Sequence, residues 1–297
     1  MARSLHIGTV DLADATAWER YFSKLNYLEL SGPFGGPVKD ATLKRWRQAS
    51  GGRLGLHAPW VLSHRKAPAS ARAGGYDTDA QSGDFRTGPA AQRALDLLAR
   101  AVTLSGAHTV VFPSDPMFSP SEANRQQLTT FFAEAATAAR LGGATRVWIP
   151  GGLWDPYQAA VFAARIGVVA AVDPFSNNLD RVPEWVTGLP GDAVYFRPVH
   201  TGRATALSLD RLEELAMWLA GYEQSTVAFG TPERIKDANA LMTFLRNLGD
   251  SVTPEAEGEG DEDEDDDDED GTAADDDDDD GGSADDDDDD DATNDDD

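Results

Sequence analysis

Apolar and polar positions along residues 1–249 form two kinds of segment. Short runs of β-branched, aromatic and leucine residues indicate buried strands, and apolar residues spaced three or four positions apart indicate amphipathic helices between them. The runs predict eight strands: Leu5–Val10, Tyr27–Leu30, Arg53–Ala58, His108–Phe112, Arg146–Ile149, Val168–Val172, Ala193–Phe196 and Thr226–Phe229.

This alternation predicts an α/β fold, a (β/α)8 TIM-type barrel over residues 1–249, since each strand-and-helix unit is about 30 residues long. Proline closes five strands, at positions 59, 113, 150, 174 and 198, where the chain would turn out into a loop. A doubly wound open sheet is the alternative. It expects a glycine-rich phosphate loop after the first strand, and Gly8-Thr9-Val10-Asp11 is not one.

The sequence contains signals for two helix N-termini and one long segment without periodicity. Ser119-Pro120-Ser121-Glu122 predicts a capping box with Ser119 as N-cap, and Asp155-Pro156 predicts a second capped start. Residues 63–87, which begin with His64, Arg65 and Lys66, have no periodicity. A loop of that length inside a compact domain is usually functional or disordered.

Charge divides the chain into two parts. The net charge is −28, yet residues 250–297 hold 30 of the 53 acidic residues and none of the 25 Lys and Arg residues, so residues 1–249 are nearly neutral. Such a segment has almost nothing apolar to bury and predicts a disordered, low-complexity acidic tail. The tail favours basic proteins or divalent cations as partners and opposes nucleic acid, because phosphate backbones carry the same charge.

Composition also limits chemistry and location. The chain has no cysteine, which excludes disulfides, thiol nucleophiles and thiolate metal sites. It shows neither a signal-peptide pattern nor an apolar run long enough for a membrane span, so we expect a cytoplasmic protein with no membrane partner.

Candidate chemistry lies where the predicted strands end, because active sites of such barrels are built by the loops after the strands. The polar residues expected there are Asp11, His57, His64, Asp115, Asp173, Arg197 and His200. Arg197 suits an anionic or sugar-like metabolite as a clamp, and His57 or His200 suits the role of general base. Pairing of Arg197 with Asp173 or Glu29 is the structural alternative. A metal site is conceivable from these residues, but no closely spaced ligand motif supports one, so we assign no metal ligand and leave any cofactor open.

The chain also resembles the YecE-like family, domain of unknown function 72, through short matches in the same order. These are Gly8-Thr9, Glu29 followed by Phe34, Ala58-Pro59, Ser63-His64, Phe112-Pro113, Trp154, Asp173, and Arg197 with His200-Thr201-Gly202. Departures accompany them: the family's lysine before Ala58 is His57 here, and its Glu-x-Arg-His and Phe-Asn-Asn segments read Val147-Trp148-Ile149-Pro150 and Phe229-Gly230-Thr231. The resemblance implies a (β/α)8 barrel and a site at its mouth, and it implies no reaction.

Two functional hypotheses follow from these residues. In the first, the barrel is an enzyme, or a degenerate one, acting on a small polar metabolite. Its expected catalytic residues are His57, Asp173 and His200, and its expected ligand-binding residues are Glu29, His64, Asp115, Trp154 and Arg197. In the second, the barrel is a non-catalytic interaction module whose acidic tail binds basic proteins or cations.

Overall fold

The computed structural model describes residues 4–12, 17–72, 75–151, 153–176, 186, 188–201 and 204–249. Two sequence-based predictions lie outside these residues: the acidic tail from residue 250 and Gly202 of the family motif.

Eight parallel strands close into a barrel, which confirms the fold class. Each strand pairs with the next along the chain, and β8 pairs with β1, with His6 opposite Thr226 and Thr9 opposite Phe229. The strands are β1 Ser4–Val10, β2 Tyr27–Leu30, β3 Leu54–His57, β4 Thr109–Pro113, β5 Thr145–Ile149, β6 Val169–Val172, β7 Ala193–Phe196 and β8 Gln224–Phe229. The open-sheet alternative is therefore wrong.

Helices lie between successive strands, as the spacing of apolar residues predicts, and the four-residue α2 is a helix that this spacing does not predict. They are α1 Trp18–Phe22, α2 Gly32–Gly35, α3 Asp40–Ser50, α4 Pro89–Ser105, α5 Glu122–Thr130, α6 Pro156–Arg165, α7 Leu209–Leu219 and α8 Arg234–Asn247. A short 3-10 turn, Trp60–Leu62, precedes the irregular segment of residues 63–87. Across the described part of the chain, every helix is too short or too polar to cross a membrane.

One of the two predicted helix caps is wrong in position. Helix α5 begins after Ser121, whose hydroxyl accepts a hydrogen bond from the backbone N–H of Asn124, so Ser121 and not Ser119 is the N-cap. The cap on α6 is confirmed, because Asp155 accepts from the N–H of Gln158 at 2.9 Å. Both side chains satisfy an N–H that the first helical turn leaves without a partner.

Alternation along each strand separates two layers of side chains. Leu28, Leu54 and Phe196 face outward and pack against the helices in the main apolar core. Tyr27 on β2 and Tyr195 on β7 point inward, since their hydroxyl oxygens meet at 3.0 Å although these two strands are not neighbours. Inward positions of such barrels usually carry branched aliphatic residues. The centre of this barrel is instead partly polar.

Two glycines make room for that polar centre. A Cβ on Gly55 would lie 1.9 Å from the hydroxyl oxygen of Tyr27, and a Cβ on Gly8 would lie 1.6 Å from the Tyr27 carbonyl oxygen. Tyr21 donates its hydroxyl proton to that same carbonyl at 2.6 Å. The missing side chains therefore allow Tyr27 to reach the barrel axis.

Candidate functional site

The candidate site is organised around Glu29, a buried carboxylate on β2. One of its oxygens, Oε1, accepts hydrogen bonds from His57 Nε2 at 2.6 Å and from Arg197 Nε at 3.0 Å. The other, Oε2, accepts from the Tyr195 hydroxyl, which also contacts Tyr27. Strands β2, β3 and β7 thus each contribute to one network inside the barrel, just below its C-terminal mouth.

Charge pairing keeps Glu29 ionised in spite of its burial. Burial on its own raises the pKa of a carboxyl, but the Arg197 guanidinium and the hydrogen bond from His57 outweigh it and hold the pKa of Glu29 at about 2. Burial and the neighbouring Glu29 charge raise the pKa of Tyr195 well above its ordinary value, so that side chain remains a proton donor. Glu29 accepts hydrogen bonds from three side chains, and one of them is the positively charged Arg197. Glu29 is therefore the internal counter-ion of Arg197.

Arg197 connects this network to the mouth of the barrel. Its Nε is fixed by Glu29, and its side chain is 21% exposed. Among the described residues, the two terminal nitrogens of the guanidinium have no hydrogen-bond partner. The side chain lines a cavity of about 210 Å³ between the ends of β5, β6 and β7, together with Trp154, Asp173 and Ser176. A guanidinium that is fixed in place and keeps free N–H donors can bind a carboxylate or a phosphate through bidentate hydrogen bonds.

Asp173 holds His200 at the rim of the same mouth. Its Oδ2 accepts from the backbone N–H groups of Val199 and His200, both at 3.1 Å, and lies 2.5 Å from Nδ1 of the His200 ring. An ionised carboxylate only accepts, so Nδ1 is the donor in this hydrogen bond and Nε2 is the ring nitrogen that remains for a ligand. The His200 side chain is 58% exposed. This pairing leaves an imidazole oriented and accessible for proton transfer.

The remaining predicted residues lie around this centre with varied partners. His57 directs Nε2 at Glu29, while His64 hydrogen-bonds Ser63 through Nδ1 at 2.8 Å. The Phe34 ring touches both imidazoles edge to face, with ring centroids 6.3 Å from His57 and 5.1 Å from His64. Burial lowers the pKa of His64, and the Asp115 carboxylate opposes that change.

Trp154, Asp115 and Asp11 make local bonds that fix the mouth. The Trp154 indole N–H donates to the Phe118 carbonyl at 2.9 Å, and the ring forms part of the cavity wall. Asp115 accepts from the Met117 N–H. Asp11, which has a φ of 53°, accepts from both the N–H and the hydroxyl of Ser31.

Sequence reasoning missed two members of the network, Tyr27 and Tyr195. A usable signal was present, because each stands two residues before an expected site residue, Glu29 and Arg197, and positions i and i+2 of a strand share a face. No cluster of three or more His, Asp or Glu side chains that could hold a metal ion occurs within the described ranges.

Comparison with known proteins identifies similar folds. No family model matches the chain, and no curated protein matches it. A DUF72 family protein of Enterococcus faecalis V583 aligns at 12% identity and a TM-score of 0.58, covering 83% of this chain and 98% of its own. A DUF72 family protein of Thermotoga maritima MSB8 aligns at 10% identity and a TM-score of 0.53, over 83% and 99% of the two chains.

A sugar epimerase has a similar fold as well. The D-allulose 3-epimerase of Methylomonas sp., whose structure is also known in complex with D-allulose, aligns at 12% identity and a TM-score of 0.54 over 83% of this chain and 99% of its own. At these identities the likeness concerns the fold. The structural alignments therefore agree with the family resemblance seen in the sequence. Over most of its length this chain has the barrel fold of DUF72 family proteins.

Proposed function

We propose that this chain is a divergent member of the YecE-like family whose barrel mouth binds a small, anionic, sugar-like metabolite. The observation that carries the proposal is how the Arg197 guanidinium is held and which of its nitrogens remain available. Glu29 accepts a hydrogen bond from the Nε of Arg197, the Arg197 side chain lines a cavity, and its terminal nitrogens have no hydrogen-bond partner among the described residues. A guanidinium held in this way is already ordered before a ligand arrives, which lowers the entropic cost of binding.

Cavity size and surroundings support a small polar ligand. The volume of about 210 Å³ is below the roughly 300 Å³ at which pockets for drug-sized ligands begin. Trp154 offers an apolar wall, and Asp173 and Ser176 offer polar atoms, a combination that suits a sugar ring. The epimerase of similar fold has been solved with a sugar bound.

Proton transfer is the reaction class that the residues favour. In the proposed enzyme, His200 acts as general base through Nε2, Asp173 orients it, and Arg197 holds the anionic group of the substrate. His57 is the second candidate base, since its Nε2 is committed to Glu29 and only Nδ1 remains. No cofactor is assigned to this chemistry, and the proposed compartment is the cytoplasm.

Calorimetric titration of the full chain with D-glucuronate and D-glucose tests the proposal, because the two sugars differ in the carboxylate. We expect glucuronate to bind and glucose to bind at least about tenfold more weakly, as the loss of a charge-assisted hydrogen-bond pair implies. Native mass spectrometry of the chain purified from cell extract identifies the mass of any retained metabolite.

Arg197→Lys is the diagnostic variant, since it keeps the charge beside Glu29 and removes the fork of donors. Arg100→Lys is the matched control, because it makes the same replacement at an arginine that pairs with Asp40 on the outer helices. Equal binding of both sugars, or undiminished glucuronate binding by Arg197→Lys, would contradict the proposal.

The acidic tail supports a second candidate function, that of an interaction module. Its 30 acidic residues, with no Lys or Arg among residues 250–297, favour salt-sensitive binding of basic proteins or divalent cations and oppose binding of nucleic acid. Titration with polylysine at low and high salt tests this candidate. It is rejected if removal of residues 250–297 leaves polylysine binding unchanged.

A further inference from the structure

The loop between β3 and α4 is built more rigidly than an irregular loop requires. Residues 83–85 run beside residues 61–63, with backbone N–H groups of Gly83 and Phe85 donating to the carbonyls of Val61 and Leu62 at 2.8 and 2.7 Å. Gly83, Asp84 and Phe85 have φ values of 86°, 53° and 59°, a left-handed run that non-glycine residues seldom adopt. Phe85 is fully buried against Phe118 and Phe131. The loop therefore presents Asp84 in a fixed position.

Two arginines converge on the carboxylate of Asp84. Its Oδ2 accepts from Arg65 Nε and, at 3.2 Å, from Arg86 Nη2. The Asp84 side chain is 11% exposed, whereas Arg65 is 66% and Arg86 40% exposed. One buried carboxylate thus gathers two guanidinium groups at a single oxygen, and the exposed Lys66 follows Arg65.

This cluster has an excess of positive charge and of free donors. Two guanidinium groups contact one carboxylate, the exposed Lys66 adds a positive charge at the next position in the chain, and like charges held close together repel each other. Among the described residues, both terminal nitrogens of Arg65 make no other hydrogen bond, and neither do Nε and Nη1 of Arg86. An anion of charge near −2 would balance the excess, and a phosphate monoester has that charge at neutral pH together with three acceptor oxygens.

The cluster lies at the rim of the barrel mouth. Arg65 follows His64, whose ring packs against Phe34, and Phe34 in turn packs against His57 of the Glu29 network. The Asp115 carboxylate acts on the neighbouring His64, whose pKa it raises against the effect of burial. All β-to-α loops of a barrel open on the same face, so the cluster lies on the same side of the barrel as the mouth.

We propose that Arg65 and Arg86, held together by Asp84, form a phosphate-binding site at the rim of the mouth. The site would take the phosphate group of a phosphorylated metabolite. This inference deepens the proposed function, on which it rests for the identity of the rest of the ligand, by making that ligand a sugar phosphate.

Calorimetry of the full chain with inorganic phosphate as the probe, at low ionic strength, tests the site directly. We expect Arg86→Gln and Arg65→Gln each to weaken phosphate binding about tenfold or more, since each removes a charge-assisted hydrogen bond. Arg93→Gln is the matched control, because Arg93 pairs with one exposed carboxylate, that of Asp77, and its loss changes net charge equally. We expect this control to change the dissociation constant by less than about twofold, the scale of a screened surface charge.

Absence of phosphate binding by the parent overturns the inference, and so does equal weakening by Arg86→Gln and Arg93→Gln. Thermal unfolding verifies that each variant is folded. Should Arg86→Gln fail to fold, Arg65→Gln decides, because its more exposed side chain contributes less packing.

Arg197→Lys separates this inference from the proposed function. Phosphate binding retained in Arg197→Lys and lost in Arg86→Gln supports a separate phosphate site, even if no sugar binds to any variant. Phosphate binding lost in Arg197→Lys and retained in Arg86→Gln instead assigns phosphate to the mouth and overturns the rim site.

Discussion

Glu29→Gln is the substitution that tests the central ion pair most directly. It keeps the shape of the side chain and removes its charge, leaving the largely buried guanidinium of Arg197 without a counter-ion. Breaking a buried pair in this way costs about 3–5 kcal/mol. The pKa gives a second measure: a carboxyl whose pKa falls from 4.5 to about 2 on folding contributes about 3 kcal/mol of stability at neutral pH. The estimate from the broken ion pair and the estimate from the pKa agree, and we expect Glu29→Gln to lower the free energy of unfolding by about 3 kcal/mol.

The same pKa fixes how that loss depends on pH. A depressed carboxyl pKa means that the contribution is complete above the unfolded value of 4.5 and disappears as pH falls through the folded value of about 2. The difference in unfolding free energy between parent and Glu29→Gln should therefore shrink from about 3 kcal/mol at pH 7 to about 1 kcal/mol at pH 3. Acidic residues of the tail titrate in this range too, but they do so in both proteins and cancel in the difference.

Urea unfolding followed by tryptophan fluorescence at pH 7, 5, 4 and 3 provides the measurement. Glu19→Gln is the control, because Glu19 is an exposed acid on α1, and its removal should change stability by less than about 0.5 kcal/mol. A difference for Glu29→Gln that is below about 1 kcal/mol at pH 7, or that does not change with pH, would refute the assignment of Glu29 as the charged partner of Arg197.

Two further substitutions test the local structure. Gly55→Ala should destabilise the barrel by about 1–3 kcal/mol or more, because the new methyl group would lie 1.9 Å from the Tyr27 hydroxyl oxygen; urea unfolding that shows no loss would contradict this close approach. Ser121→Ala should cost about 1 kcal/mol through the lost cap of α5, whereas Ser119→Ala should cost less than half of that in the same assay, and the reverse order would restore Ser119 as the cap.

The fold was predictable because barrel strands carry two strong signals. Apolar residues, many of them β-branched or aromatic, mark each strand, and prolines at 59, 150, 174 and 198 follow the strands closely. Strand ends agree with prediction to within two residues for this reason. The predicted N-cap of α5 was wrong because Ser119 and Ser121 both precede residues that are compatible with a helix. The choice between the two serines depends on where the preceding loop enters the helix.

The candidate site was predictable only in part, because its partners are distant in sequence. Arg197 and His200 are recognisable from the sequence as polar residues at a strand end, and the sequence also offers Glu29 as a partner of Arg197. That Glu29 would also accept from His57 and Tyr195 follows only from closure of the barrel, which brings β2, β3 and β7 together. Likewise, no local pattern joins Arg65 to Arg86 through Asp84, since this depends on the left-handed run at 83–85.

The polar interior bears on the choice between enzyme and interaction module. A buried ion pair is rarely the most stable filling for a core, and well-packed apolar residues of similar volume are often equal or better. A barrel that served only to carry an acidic tail would have no use for Glu29 and its three donors. Their arrangement instead fixes the guanidinium of Arg197, whose side chain lines a cavity, which supports a ligand-binding mouth over a purely structural barrel.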